Sequence, residues 1–427
     1  MTSPRVERAE LESGLRIIAI VLPHTRTTVV EFVSEAGSRY DPSELGGVSH
    51  FLEHMLYRGT GNYPGPHELA LAFERRGGLL EAATYIDHGS VALSMPPESA
   101  LPSIPILCEV LRAPLLQGID VERAIVREEI LETLDENSRL VDASDLARGL
   151  CFPSHPLGAS ITGSLDALER FDREALLAHH DRLYVGSGAV VAVAGAVDPN
   201  QVFDAFAAGM HGLQRGTRPT AAPPAQTRGP IYSFVRYTDS QSHLRVVFRA
   251  SGYGDQSEPA IELLMRLLDD GMSTRLYHRI CNSLGLCYDV SAYYEAWTDA
   301  GVVEIAGDCA HERVARLGQE ILDLVARLRD DGPSEEEFVA AKQRSRWQHL
   351  ELFDEPSELT GFYGYAELKQ TVRDPLQRTA QLEAVSLDTL RNVARELFTP
   401  ENLVVVCVGE PQKRVRDKLE KVVLGFS

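Results

Sequence analysis

The alternation of apolar and polar positions is clearest between residues 46 and 61, where it predicts a short amphipathic helix. The apolar side chains recur at the i, i+3, i+4, i+7 spacing of one helix face: Val48, Phe51, Leu52, Met55 and Leu56. The opposite face carries His50, Glu53, His54 and Tyr57. One face of this helix should therefore be buried, and the other should present two imidazoles and a carboxylate together.

Strand and helix patterns alternate through the rest of the first half. Residues 15–22 and 27–33 are predicted to be neighbouring strands, and residues 189–194 a valine-rich strand. Residues 165–184 have the periodicity of one helix. Another helix is predicted over residues 120–135, with an aspartate as its N-cap.

The second half of the chain repeats the first at a constant offset of 214 residues. Leu183 falls on Leu397, and Gly195 falls on Gly409. A repeat of half the chain predicts two copies of one α/β unit. The expected domains are residues 1–214 and 231–427, joined by a proline- and glycine-rich linker over residues 215–230.

The two histidines of the first helix stand one turn apart, so that they can hold one metal ion between them. Neutral imidazole suits zinc, and Glu53 lies between His50 and His54 on the same face. There it can accept a proton from a water whose pKa zinc lowers to about 7. The order His-x-x-Glu-His is the inverse of the common zincin arrangement. The alternative is a solvated polar face, for which lysine, arginine or several acids would be expected.

A third ligand is expected from the acidic helix over residues 120–135. Glu122, Glu128, Glu129 and Glu132 are each a fair candidate by periodicity, which does not choose among them. As a group, the acids of this helix also fit a solvated face.

The second copy has no counterpart of the proposed metal site. The three polar groups of the first helix fall on Leu264, Leu267 and Leu268, and Glu129 falls on Gln343. This asymmetry predicts one active site and one zinc ion per chain, in the first half.

Composition narrows the function classes. The 427 residues carry a net charge of −20 without a basic patch, which argues against a nucleic-acid partner. No apolar run approaches the roughly 18 residues of a membrane helix, and no secretory signal is indicated at the N-terminus. The six cysteines are scattered without a C-x-x-C pair, so neither a disulfide framework nor a cysteine-zinc site is indicated. A cytoplasmic protein is expected.

These motifs resemble the insulinase, pitrilysin and mitochondrial-processing-peptidase family of zinc peptidases, the inverzincins. The resemblance spans nearly the whole chain and is carried by residues 37–39, 46–55, 58–60, 77–84, 122–129, 271–276 and 285–288. It implies an α+β fold of two homologous domains, each a mostly antiparallel sheet with helices packed on one face, together forming a clamshell-like chamber. It also implies membership of the shorter, two-domain branch of the family, whose members usually act as dimers.

The resemblance implies a role for each matching residue. His50, His54 and Glu129 become the zinc ligands, Glu53 the general base, and Glu122 a group behind the ligands that orients them.

The substrate-binding positions follow from the same resemblance. Ala82 and Thr84 fall on the sheet edge that pairs with an extended substrate, and Tyr288 matches a tyrosine that stabilises the oxyanion. Glu81 stands where the family usually has an asparagine that holds the substrate backbone. Cys281 stands where the family has an arginine, and Arg279 is close in sequence but out of register. Either Arg279 shifts into place, or a different partner subunit supplies the arginine and the tyrosine, or turnover is poor.

The predicted function is that of a zinc-dependent endopeptidase acting on extended peptides or small unfolded segments. A homodimer, or a heterodimer with a related subunit, is expected. The alternatives are a peptide-binding or structural subunit with little activity alone, and the zinc-bearing subunit of a hetero-oligomeric peptidase.

Overall fold

The computed structural model describes residues 4–225, 228–371 and 374–427, and the strands of these residues form two sheets. Residues 226–227 of the predicted linker lie outside the described residues. The first sheet contains β1 (Arg5–Glu10), β2 (Arg16–Val21), β3 (Thr28–Ser34), β4 (Leu79–Thr84), β5 (Gly89–Met95) and β6 (Ala189–Gly195). The second contains β7 (Ile231–Arg236), β8 (Ser242–Ala250), β9 (Val290–Ala296), β10 (Gly301–Cys309) and β11 (Leu403–Gly409).

The α-helices follow the same division of the chain. In the first half they are α1 (Val48–Leu56), α2 (Pro66–Glu74), α3 (Pro97–Arg112), α4 (Ile119–Glu132), α5 (Ala143–Cys151), α6 (Leu165–Leu168), α7 (Arg173–Leu183) and α8 (Pro199–Gly209). In the second half they are α9 (Glu258–Leu268), α10 (Val314–Asp330), α11 (Glu335–Glu351), α12 (Pro356–Lys369), α13 (Pro375–Ala384), α14 (Leu387–Leu397) and α15 (Lys413–Leu424). No helix among the described residues is both long enough and apolar enough to span a membrane.

Both sheets have the same strand order. The order is β1-β2-β6-β3-β5-β4 in the first and β7-β11-β8-β10-β9 in the second. Only β2–β6 and β7–β11 pair in parallel, and the other neighbours are antiparallel. Apart from β1, each strand of the first sheet has its counterpart at the sequence offset of the repeat. The predicted repeat and the mostly antiparallel sheets are therefore confirmed.

A pair of glycines shows how closely the repeat is kept. Gly195 and Gly409 end the equivalent strands β6 and β11 with φ of +152° and +144°. A Cβ on Gly195 would lie 2.2 Å from Thr28 Oγ1, and one on Gly409 would lie 2.8 Å from Ser242 Oγ. Thr28 and Ser242 are themselves related by the repeat, so both copies need glycine for the same reason.

The described residues cluster into two compact units, each assembled from three segments. The first contains residues 1–130, 160–222 and 349–375, and the second contains residues 131–159, 223–348 and 376–427. The first unit thus includes α12 from the second half of the chain, and the second includes α5 from the first half. These two helices are equivalent in the repeat.

The first unit corrects one expectation, because its sheet carries helices on both faces. Strand β6 is buried along its whole length, as is typical of a strand covered on both sides. Helix α12 packs on one face, where Leu359 and Tyr363 join a core with Ile18 and Val190. Helices α3 and α8 also contact the sheet, at β3 and β2. The second unit repeats this plan, with α5 against β11 and β8.

Two local predictions are wrong. β2 and β3 are not neighbours, because β6 inserts between them and pairs with both. Residues 165–184 form two helices rather than one, because Ser164 and Asp172 each cap a separate helix by accepting a backbone N–H.

Candidate metal centre

Helix α1 is fixed at its start by a carboxylate from outside the helix. Asp41 accepts hydrogen bonds from the backbone N–H groups of Gly47 (2.8 Å) and Ser49 (3.3 Å) and from the Ser49 hydroxyl (2.6 Å). These bonds satisfy donors that a helix N-terminus leaves unpaired. Each of the five side chains in the predicted apolar stripe of α1 is at most 1% exposed, as expected.

Behind Asp41 lies a buried polar chain. Arg182 donates to His179 Nδ1 (3.1 Å), and His179 Nε2 lies 2.8 Å from Ser49 Oγ. Burial lowers the pKa of His179 to about 3 and raises that of Asp41 to about 6. His179 is therefore a neutral structural residue that holds Ser49.

The polar face of α1 brings the two histidines together with one glutamate of α4. His50 Nε2 and His54 Nε2 lie 3.3 Å apart, and the Glu129 carboxylate oxygens lie 3.4 Å and 3.7 Å from them. Ligand atoms about 2.0–2.1 Å from a tetrahedral zinc ion would be roughly 3.3 Å apart. The three groups form the only such cluster found among the described residues.

The acidic helix also supplies a group behind the ligands. Glu122 Oε1 lies 2.9 Å from His54 Nδ1, and its other oxygen accepts from Arg58. Burial raises the pKa of Glu122, but the bonds from His54 and Arg58 outweigh it and leave the pKa below its usual value. The hydrogen bond to Glu122 raises the pKa of His54. Glu122 thereby fixes Nδ1 as the proton-bearing nitrogen and leaves Nε2 free to bind a metal.

The four candidate third ligands have different surroundings in the structure. Glu129 faces both Nε2 atoms, and a hydrogen bond from His50 lowers its pKa. Glu122 contacts the far side of His54, while Glu128 and Glu132 are exposed.

Glu53 lies beside strand β4. Its Oε2 accepts a hydrogen bond from Thr84 Oγ1 (2.7 Å). Ala82 lies on the same face of β4 as Thr84, whereas Glu81 lies on the other face because side chains alternate along a strand. There Glu81 lines a cavity of about 590 Å³ together with Glu31 and Glu358. The Glu81 side chain therefore does not share a face with Glu53.

Sequence profiles of one family match most of the chain. The profile described as Insulinase (Peptidase family M16) matches residues 16–149, and the one described as Peptidase M16 inactive domain matches residues 170–345. The chain belongs to peptidase family M16.

Relatives of similar sequence agree with this membership, and a solved structure shares the fold. A relative in Mycobacterium tuberculosis, named an uncharacterized zinc protease, is 28% identical over 407 residues, covering 92% of this chain and 90% of the relative. An uncharacterized zinc protease of Bacillus subtilis is 24% identical over 405 residues, covering 93% and 96%. A crystal structure of a Helicobacter pylori protease has a TM-score of 0.88 at 19% identity, covering 96% of this chain and all of that one.

Two further residues, to which the sequence pattern gives no role, lie beside this cluster in the structure. Arg58 binds Glu122, and its position four residues after His54 was the available signal. Tyr57 is half-buried, and its phenol forms a hydrogen bond with the backbone of Ala82. Burial raises the pKa of Tyr57 to about 12. Tyr57 therefore meets β4 as a neutral phenol.

The remaining predicted residues of this M16 chain lie in the second unit. Tyr288 is 95% exposed, and Arg279 forms an ion pair with Glu320 (2.8 Å). Leu264, Leu267 and Leu268 are buried in the core of that unit.

Proposed function

We propose that the chain is a zinc-dependent endopeptidase with one active site, in its first unit. The observation that carries the proposal is the convergence of His50 Nε2, His54 Nε2 and the Glu129 carboxylate beside Glu53. Two imidazoles and one carboxylate are a typical donor set of catalytic zinc, and they leave a position for water or substrate.

His50, His54 and Glu129 would hold the zinc ion. When bound, zinc supplies a Lewis acid and lowers the pKa of water to about 7. Glu53 takes the proton of the attacking water and passes it to the leaving amine. Thr84 orients Glu53 by its hydrogen bond, and Glu122 orients His54. We assign Tyr288 to the oxyanion from the resemblance to the family.

An extended peptide fits the edge of the first sheet. Strand β4 is the last strand of the sheet and, in the described part of the chain, pairs only with β5, so that its outer edge has no neighbouring strand. Ala82 and Thr84 lie on this strand, on the face that carries Glu53. A substrate strand added here would have its backbone held beside the general base. The cytoplasmic location and the dimer are part of the same proposal.

The test is metal content alongside cleavage of a quenched peptide library by the purified chain. About one zinc per chain with cleavage that a chelator abolishes is the expected result. A chain that binds no zinc, under conditions where the histidines are neutral, contradicts the proposal.

A second candidate is the zinc-bearing subunit of a hetero-oligomeric peptidase. Its support is the Cys281 position, where the family has an arginine, together with the ion pair that already engages Arg279. Bound zinc without cleavage, followed by activity on addition of a related subunit, would favour this candidate.

A further inference from the structure

The cavity beside Glu81 lies on the face of the first sheet that carries α12. Helix α12 packs mainly on β3 and β6, and the cavity lies next to it over β5 and β4. Small side chains line it on the side of the sheet, namely Ala83, Ser90 and Ala92, and the first turns of α12 form its wall. Its volume of about 590 Å³ is within the range of about 300–1,000 Å³ that is typical of small-ligand sites.

Three carboxylates line this cavity, whereas no lysine, arginine or histidine does so in the described part of the chain. Glu31 and Glu81 lie in one row across the sheet, on either side of Ala92, which pairs with both. Glu358 approaches from α12, and none of the three glutamates forms an ion pair with a described residue. Burial raises the pKa of Glu31 despite a hydrogen bond from Thr360, and the charge of Glu358 raises it further. A bound cation would remove this repulsion.

The second unit has an arginine at the equivalent place. Arg245 stands at the repeat position of Glu31 and has the equivalent neighbours in the register of its own sheet. Its guanidinium donates hydrogen bonds to Asp308 Oδ1 (2.9 Å) and Ser144 Oγ (3.1 Å), and it lies 3.4 Å from Glu304 Oε1. This copy of the repeat therefore carries its own guanidinium among acidic groups.

We propose that the cavity of the first unit binds a guanidinium group from outside the chain, through Glu31, Glu81 and Glu358. Ser144 is the repeat counterpart of Glu358, so the helix residue that contacts the guanidinium in the second unit is a carboxylate in the first. The group comes from a free guanidinium compound or from an arginine of a peptide that lies along β4, where every second side chain points to this face. The site itself does not depend on the proposed function, whereas the peptide as its source does.

A metal ion fits this cavity less well than a guanidinium does. Among the described residues, only His50, His54 and Glu129 form a group close enough to share one ion. A guanidinium presents five N–H donors in one plane and can bridge carboxylates that lie further apart. Its flat face also suits the rings of Tyr85 and Phe362, which line the cavity.

The first experiment titrates the full chain, as purified, with propylguanidinium and with its neutral isostere propylurea, followed by calorimetry. We expect propylguanidinium to bind with a Kd of about 1 mM or lower, and propylurea at least about tenfold more weakly. Glu31→Gln and Glu358→Gln should each weaken propylguanidinium by about tenfold or more, because each removes a charged hydrogen-bond acceptor. Glu74→Gln removes an exposed carboxylate of α2 and should leave the Kd unchanged.

A further variant uses the repeat itself. Glu31→Arg places an arginine where the second unit has Arg245, and it should block binding of propylguanidinium. Denaturant midpoints close to that of the wild type show that the variants are folded. Equal binding of the two compounds to the wild type, or equal losses in Glu358→Gln and Glu74→Gln, overturns the inference.

A second titration identifies the source of the guanidinium. Two labelled peptides that differ only in one arginine or citrulline are added to Glu53→Gln, in which cleavage is slowed. Tighter binding of the arginine peptide, lost on adding Glu358→Gln, assigns the group to a peptide. Equal binding of both peptides, with propylguanidinium still bound, assigns it to a free compound. A chain that binds neither peptide contradicts the substrate strand on β4, while the propylguanidinium titration still decides the site.

Discussion

Glu53 accepts a hydrogen bond from the Thr84 hydroxyl in the structure. Glu53→Gln keeps the shape of the side chain but cannot take a proton. We expect zinc content to stay near that of the wild type and kcat for peptide cleavage to fall by about 10²–10⁴-fold. Metal analysis and a peptide assay on the same sample measure both quantities.

Thr84→Val serves as the matched control for that substitution. It removes the hydrogen bond but leaves the base, so kcat should fall by only about tenfold. Cleavage by Glu53→Gln at the wild-type rate would remove Glu53 from the mechanism.

The acidic helix offers a second comparison of neighbouring residues. Glu129→Gln removes a carboxylate that faces both Nε2 atoms and should abolish stable zinc binding. Glu122→Gln weakens the support of His54 and should lower zinc affinity about 10–100-fold.

Glu128→Gln is the control for both substitutions, since its side chain is exposed. Zinc affinity is measured by competition with a chelating dye. If Glu128→Gln lost as much affinity as Glu129→Gln, the assignment of the third ligand would be wrong.

The sequence predicted the two histidines and Glu53 as a group because they lie within one turn of one helix, whose period is fixed. The proposed third ligand lies on another helix, and neither helical period says how two helices face each other. In the structure, Glu129 reaches the histidines because α4 packs with this side chain directed at α1. The hydrogen bond from Thr84 to Glu53 could not be predicted from the sequence either, because it depends on the distance between a helix and a strand.

At the scale of elements, α1 depends on the buried chain of Asp41, Ser49 and His179. The pKa of His179 is about 3 when folded and about 6.5 when unfolded, so its contribution to stability is present above pH 6.5 and is lost as pH falls. The pKa of Asp41 is about 6, above its usual 3.8, so its contribution has the opposite sign over that range.

These two shifts predict how variants change the acid sensitivity of folding. Asp41→Asn should steepen the loss of unfolding free energy between about pH 7 and pH 4, and His179→Gln should flatten it. Denaturant titrations at several pH values measure the slope. Since the rest of the chain is the same in both variants, the difference from the wild type reports the substituted group. Equal slopes in all three proteins would contradict the assignment.

Helix α12 is anchored at its end by a buried ion pair. Lys369 Nζ lies 2.9 Å from Asp87 Oδ2 in the turn between β4 and β5, and neither side chain is more than 4% exposed. Lys369→Met leaves the Asp87 carboxylate buried without this cation and should cost about 3–5 kcal/mol of unfolding free energy. The double variant Asp87→Asn/Lys369→Met should recover much of the loss. Denaturant unfolding would contradict this anchor if the single and double variants were equally stable.

Helices and strands with a regular spacing of apolar residues were predictable from the sequence. Which elements pack or pair with each other was not. The valines of β6 predicted a strand. Its position between β2 and β3 was not predictable, because β6 lies more than 150 residues after β3 in sequence. The break within residues 165–184 was missed because the apolar spacing continues across it, and only the caps at Ser164 and Asp172 mark it.

At the scale of the whole molecule, each unit is completed by a helix from the other half of the chain. Residues 1–214 expressed alone lack α12, which covers one face of β6 in the first unit. We expect this fragment to bind a hydrophobic dye and to unfold without cooperativity. Co-expression with residues 215–427 should restore one cooperative transition, measured by circular dichroism. A fragment 1–214 that unfolds cooperatively by itself, with β6 protected from hydrogen exchange, would contradict this dependence.

The exchange of α5 and α12 also bears on ancestry. Two identical half-length chains that swapped this helix would form a symmetric dimer in which neither protomer is complete. Duplication of the gene and fusion of its copies would turn that dimer into one chain, in which each half contributes one helix to the unit formed mainly by the other half. The loss of the proposed zinc ligands from only one copy then becomes possible, because after fusion the two copies accumulate substitutions independently while still depending on each other to fold.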